Sequence, residues 1–189
     1  MGAYREYFAF GAGLTLDKRI ERGPIAASID WRRRRYHDSM ARPTNSLRNG
    51  DEIALRLGVE REITPWLAVS AGFGYTRFLA PEAYNAHAKW SVSAGLLLTH
   101  DLFRLVPGRA AALSLSAALL FSGYGEANAN IDPDVVRHDR EWRPSATLDV
   151  PVIDDISLVG QFGANLRAST LPNYRYSNVY TMIGVALRF

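Results

Sequence analysis

Apolar residues recur at every second position over most of this chain. Ile53, Leu55, Leu57 and Val59 alternate with Ala54, Arg56, Gly58 and Glu60. Leu67, Val69, Ala71, Phe73 and Tyr75 alternate with Ala68, Ser70, Gly72, Gly74 and Thr76. Trp90, Val92, Ala94, Leu96 and Leu98 do the same against Ser91, Ser93, Gly95, Leu97 and Thr99, as do Leu113 to Phe121 against Ser114 to Ser122. A period of two places one set of side chains on one face of a strand and the other set opposite. Similar faces occur over Phe8–Leu16, Ile25–Trp31, Trp142–Val150, Ile156–Leu166 and Val179–Phe189. The pattern predicts an all-β chain of about nine strands, within a range of eight to ten.

The predicted connections alternate in length. Short ones fall at Lys18–Gly23, Thr64–Trp66, Val106–Arg109 and Ile153–Asp155. Long polar ones fall at His37–Asp51, Ala80–Lys89, Gly123–Asp139 and Ser169–Asn178. This is the rhythm of an antiparallel meander with one end trimmed and the other decorated, and the strands reach the ~9–11 residues that a tilted strand needs to cross a bilayer.

Two architectures share such alternation and bury opposite faces. A soluble ligand-binding barrel or sandwich turns the apolar face inward, whereas a transmembrane barrel turns it toward lipid. The polar face decides the expectation. In three successive strands it reads Ala-Ser-Gly-Gly-Thr, Ser-Ser-Gly-Leu-Thr and Ser-Ser-Ala-Leu-Ser. A surface facing water would carry Lys and Glu there, while small residues suit a crowded interior. The same face carries Asp30, Arg32, Arg34, Arg56, Glu60, Arg143, Asp149, Gln161, Asn165, Arg167 and Arg188, expected to line a polar, charged lumen. Trp31, Trp66, Trp90 and Trp142, with Tyr75 and Tyr180, are expected near strand ends, where amphipathic rings suit a headgroup zone.

Composition narrows the functional classes. The chain has 189 residues, a formal charge of +3 and no cysteine, which fits one domain and excludes disulfide frameworks and thiolate metal sites. Of its 22 basic residues 20 are Arg. The run Arg32-Arg33-Arg34-Arg35 splits on a strand: Arg32 and Arg34 face the lumen mouth, while Arg33 and Arg35 face outward, where lipopolysaccharide phosphates are natural partners. No aromatic stacking platform accompanies the run, so no nucleic-acid role is expected. No metal site and no cofactor are expected. Asp132, Asp134 and Asp139 lack the glycine of a calcium loop. No catalytic residue is assigned, but His138 beside those acids is the position from which a rim hydrolase would work by general-base action.

The last residues, Met182-Ile183-Gly184-Val185-Ala186-Leu187-Arg188-Phe189, resemble the terminal signal of bacterial outer-membrane β-barrels. That resemblance implies a porin-like or small outer-membrane barrel, with Gly184, Leu187 and Phe189 read by the barrel assembly machinery. Met182 departs from the polar residue usual there. Arg32–Tyr36 with Arg48–Asp51, and Arg167–Ser169 with Tyr174–Asn178, are similar to hairpins of porin-like barrels and of surface lipoprotein assembly modifiers, implying the barrel part of a larger export or translocation channel. Nine strands conflict with the even number of single-chain barrels. Residues 1–17 are then either a remnant signal segment, leaving eight strands, or part of a real strand in a chain truncated upstream. The expectation is a single domain over 1–189, in a bacterial outer membrane, with a structural, surface-interaction or narrow-permeation role.

Overall fold

The computed structural model describes residues 7–38, 40, 43–101 and 105–187. Nine strands follow one another: β1 (Tyr7–Ile20), β2 (Gly23–Tyr36), β3 (Gly50–Thr64), β4 (Leu67–Leu79), β5 (His87–His100), β6 (Ala111–Ala127), β7 (Val136–Ile153), β8 (Ile156–Ser169) and β9 (Tyr176–Leu187). They form one antiparallel sheet in sequence order, each strand bonded to the next. The nine strands expected from the alternation are thus present. Two single-turn 3-10 helices, Asn45–Arg48 and Pro172–Tyr174, lie in long loops. Among the described residues no helix is long and apolar enough to cross a membrane.

The two faces of the sheet differ sharply in exposure. Ala54, Ala68 and Ser157 are buried on the face predicted to be polar, and Phe78, Asp139, Glu141 and Ser169 on its continuation beyond the predicted strands; Ala111 and Ala164, both small, are buried on the other face. Leu14, Ile29, Leu57, Phe73, Val92, Leu115, Leu148, Phe162 and Ile183, one from each strand, are exposed on the other face. A flat sheet would expose both faces alike, so this sheet curves with its polar face concave. Curvature crowds side chains on the inside. The chain relieves that crowding by setting glycine opposite serine at Gly72↔Ser93, Gly74↔Ser91 and Ser70↔Gly95. A Cβ on any of those glycines would come within 2.6 to 2.7 Å of the facing serine hydroxyl.

Three connections at one end are two-residue turns: Glu21-Arg22, Pro65-Trp66 and Asp154-Asp155. Gly23 closes the first with φ of 147°, and a Cβ there would strike the Glu60 carbonyl oxygen at 2.1 Å. The fourth connection at this end, between β5 and β6, spans residues 101–110, so the alternation of short and long is less strict than the sequence suggests. The long loops at the other end are shorter than expected, because β6 and β7 run on beyond their apolar portions to Ala127 and from Val136. His138 and Asp139 therefore belong to a strand and not to a loop.

Two further departures follow from backbone chemistry. Pro144 lies within β7, where it lacks an N–H, and the β7–β8 ladder passes from Trp142↔Leu166 to Ser145↔Gly163 without pairs for Arg143 and Pro144. Tyr180, expected at a strand end, sits mid-β9 on the concave face, with its ring where a Cβ of Gly163 would be.

β1 and β9 are the sheet edges. In a nine-stranded antiparallel meander the first and last strands run in the same direction. Joining them directly would require parallel pairing.

Candidate functional site

The concave face near the long loops carries most of the buried charge. Strand register brings Glu52, Phe78, His87 and Tyr124 into one row across β3 to β6. Arg34 lies 5.6 Å from the Phe78 ring centroid; Phe78 and His87 are 5.3 Å apart, and His87 and Tyr124 5.0 Å. Arg137 then inserts between Tyr124 at 4.5 Å and Tyr174 at 3.4 Å. The result is a belt that runs from the Arg34 guanidinium through three rings to Arg137 and ends on the Tyr174 ring, spanning β2 to the loop before β9. Cation–π contacts of this kind contribute about 0.5–2 kcal/mol each, more when shielded from water.

Beneath the belt lie the ion pairs. Glu52 accepts from Arg34. Asp139 accepts from Arg137 through Nε at 3.0 Å and Nη2 at 2.6 Å, and Arg167 stands 3.8 Å away. Glu141 accepts from Arg143, from Arg167 Nε at 3.0 Å and from the Tyr176 hydroxyl at 3.1 Å. That last bond reaches from β9 over β8 to β7. Lys89 on β5 feels Glu52 on one side and Glu141, Arg143 and Arg167 on the other. Five cations (Arg34, Lys89, Arg137, Arg143, Arg167) face three carboxylates (Glu52, Asp139, Glu141), a formal excess of +2. Carboxylates this buried demand such partners, since burial of an unpaired charge costs several kcal/mol.

Toward the short turns the same face changes character. Asp30 and Arg56 form a more exposed pair. Around them are Gly58, Ser70, Gly72, Ser93, Gly95 and Ser116, and the Ser116 and Ser145 hydroxyls share a hydrogen bond at 2.7 Å. A Cβ on Gly58 would meet nothing within 4 Å.

The residues assigned to the lumen from sequence lie on the concave face: Asp30, Arg32 and Arg34 on β2, Arg56 and Glu60 on β3, Arg143 and Asp149 on β7, and Gln161, Asn165 and Arg167 on β8. Of these the structure draws Arg34, Arg143 and Arg167 into the charged cluster, and leaves Glu60, Asp149 and Gln161 nearer the short turns. Arg188 and Phe189 lie outside the described residues. Gly184 and Leu187 occupy the end of β9, with Leu187 outward. Trp31, Trp90 and Trp142 are exposed on the outward face in the half nearer the long loops, and Trp66 is exposed in a short turn. Arg33 and Arg35 are also outward, Arg33 lying 3.8 Å from Asp51.

His138 and Asp139 point to opposite faces, as neighbours on a strand must. Nδ1 of His138 lies 3.2 Å from its own strand's Val136 carbonyl, and Asp132 accepts from the backbone of Asp134 within its turn. These groups are therefore not assembled around one reacting atom. Among the described residues no group of three His, Asp or Glu is placed to hold a metal ion.

Sequence reasoning missed Glu52, Phe78, His87, Lys89, Tyr124, Arg137, Glu141 and Tyr176. Their signal was parity: continuing each strand's alternation two to six residues further puts every one of them on the concave side. Comparison with family models, with curated proteins and with solved structures gave no match to this chain.

Proposed function

We propose that this chain is an outer-membrane β-barrel protein whose concave face forms a narrow polar pathway, with a guanidinium–carboxylate constriction beside the long loops. One observation carries the reading: the continuous outward surface of large apolar side chains. The chain exposes 13091 Å². A soluble monomer of 21.0 kDa exposes about 9,000 Å² by the usual size scaling. Soluble monomers rarely present apolar patches beyond a few hundred Å², whereas lipid has no such limit. The tryptophans support the same reading by flanking the apolar band.

The constriction gives the pathway its character. Its side chains are held by one another, so passage is restricted to small solutes and ions, and the +2 excess favours anions. Arg33 and Arg35 extend past Trp31 toward lipopolysaccharide phosphates, and the end of β9 with Gly184 and Leu187 is the part offered to the barrel assembly machinery. The test is reconstitution. The full chain refolded in lipid vesicles is expected to migrate faster unheated than boiled on a gel, and to pass small anions in preference to cations. A chain that stays monomeric in water without detergent would overturn the reading.

A second reading is favoured by the two bare edges. One additional strand, antiparallel to both β1 and β9, would complete a ten-stranded wall with an even count. The chain would then be wall material of a larger translocation channel. Channel size separates the two: a conducting unit with the mass of one chain supports the first, and conductance appearing only in a heavier assembly supports the second.

A further inference from the structure

On the outward face, level with the constriction, lies a cleft of about 620 Å³ that the pathway does not use. Its wall includes Trp90, Phe121, His138, Arg140, Thr170 and Arg175. Trp90 and Phe121 stack with centroids 4.1 Å apart and an interplanar angle of 14°. Arg140 projects from β7 to within 5.5 Å of the Phe121 centroid. Arg175, from the loop before β9, donates Nε to the Ser169 carbonyl at 2.8 Å, which fixes its guanidinium plane and leaves its terminal nitrogens for another acceptor.

The charge balance is one-sided. Asp139 is the one acidic residue in the lining, and its carboxylate faces the concave side, where it is 5% exposed and held by Arg137. Among the described residues neither Arg140 nor Arg175 pairs with a carboxylate. Arg33, by contrast, has Asp51 beside it. Two guanidiniums with unspent donors over a floor of stacked rings form an amphipathic site. A phosphate suits the forks, and an acyl chain suits the rings and the adjoining apolar surface. A free phosphate would use only the first half of that description.

We infer that this cleft binds the phosphate of a phosphorylated lipid, through Arg140 and Arg175, with the lipid chain lying along Trp90 and Phe121. The inference rests on the membrane reading above. The experiment is native mass spectrometry of the full chain in detergent with three probes: lipid A carrying two phosphates, the same lipid dephosphorylated, and inorganic phosphate. The wild-type chain is expected to retain the phosphorylated lipid, and the Arg140→Gln/Arg175→Gln double variant to bind it about tenfold more weakly, each lost charge-assisted contact being discounted for solvent. The Arg61→Gln variant, at the short-turn end of β3 and away from the cleft, is expected to bind as wild type. Unchanged binding in the Arg140/Arg175 variant, equal binding of the dephosphorylated lipid, or inorganic phosphate binding as tightly as the lipid would each overturn the inference. Heat-modifiable migration of both variants shows that they fold. If the wild-type chain takes up no detergent at all, the membrane reading has failed; detergent uptake with lipid binding indifferent to Arg140 and Arg175 means that only the cleft has.

Discussion

The half of the concave face beside the long loops and the half beside the short turns use the same strands and solve the same crowding in opposite ways. Near the loops, long side chains fill the space and neutralise one another: Glu141 is 3% exposed and has three donors. Near the turns, the side chains are small enough that Gly58 faces open space. One half gains its order from specific pairs that are costly to break singly, the other from the absence of bulk. The difference implies that stability is sensitive to substitution in the first half, and that passage along the proposed pathway is sensitive to added volume in the second.

The sharpest way to break this comparison is to remove matching acids from the two halves. Glu141→Ala strands Arg143 and Arg167 and releases Tyr176. Loss of one partner from a buried ion pair costs about 3–5 kcal/mol, and the partial exposure of both arginines brings the expected loss nearer the lower figure. Glu60→Ala, an exposed position on the same face, is expected to change stability by less than about 0.5 kcal/mol. Denaturant midpoints of the refolded chains in detergent measure both. Equal losses would mean that the two halves are not built differently. In vesicles Glu141→Ala also raises the positive excess of the constriction, so the anion preference is expected to increase.

The ring belt makes the next largest prediction. His87→Ala removes the tilted ring contacts with both Phe78 and Tyr124, each pair contributing about 0.5–1.5 kcal/mol, so a loss near 2 kcal/mol is expected. Because the belt stands over the proposed pathway, the same variant is expected to conduct better. A variant of unchanged stability and conductance would show that the belt is decoration on a loop rim.

Much of this molecule was legible in its sequence, and the boundary of legibility has a physical cause. Strands were readable wherever an outward apolar residue alternated with an inward small one, as along Leu67–Tyr75. The signal vanishes where a strand outruns its apolar band. Along His138, Asp139, Arg140 and Glu141 both faces are polar, so the stretch reads as a loop although its inward members form the centre of the site. Inward aromatics such as Phe78 and Tyr124 were invisible for the complementary reason, since in sequence they look like more of the outward belt. The +3 net charge hid the local excess, because the carboxylates that offset it are spread over the whole chain.

A smaller effect sharpens the other side of the comparison. Gly58→Leu adds bulk where nothing stands within 4 Å. Replacing a strand glycine limits the freedom of the unfolded chain, so stability is expected to hold or rise by up to about 1 kcal/mol. Conductance is expected to fall, because the side chain projects into the open half. A drop in stability with unchanged conductance would place Gly58 in a packed wall and remove the contrast.

The smallest effect lies in the loop above the constriction. The Ser46 backbone N–H donates to Asp38 at 2.6 Å and the Ser46 hydroxyl donates to its other oxygen at 2.7 Å. Both bonds favour the charged carboxylate, the backbone bond most, and hold Asp38 below its ordinary value of 3.8. A group with a depressed folded pKa contributes its full stabilisation above the unfolded value and loses it as pH falls through the folded one. The contribution of this contact to loop order is therefore intact above pH 3.8 and is lost progressively as pH falls from there through the folded value. Ser46→Ala removes the hydroxyl bond and leaves the backbone bond, so the Asp38 pKa is expected to move part of the way back toward 3.8. Carboxyl carbon shifts followed through an acid titration measure it. A titration identical to wild type would mean that the hydroxyl does not hold Asp38, and that this loop, unlike the half of the site beneath it, is not organised by specific pairs.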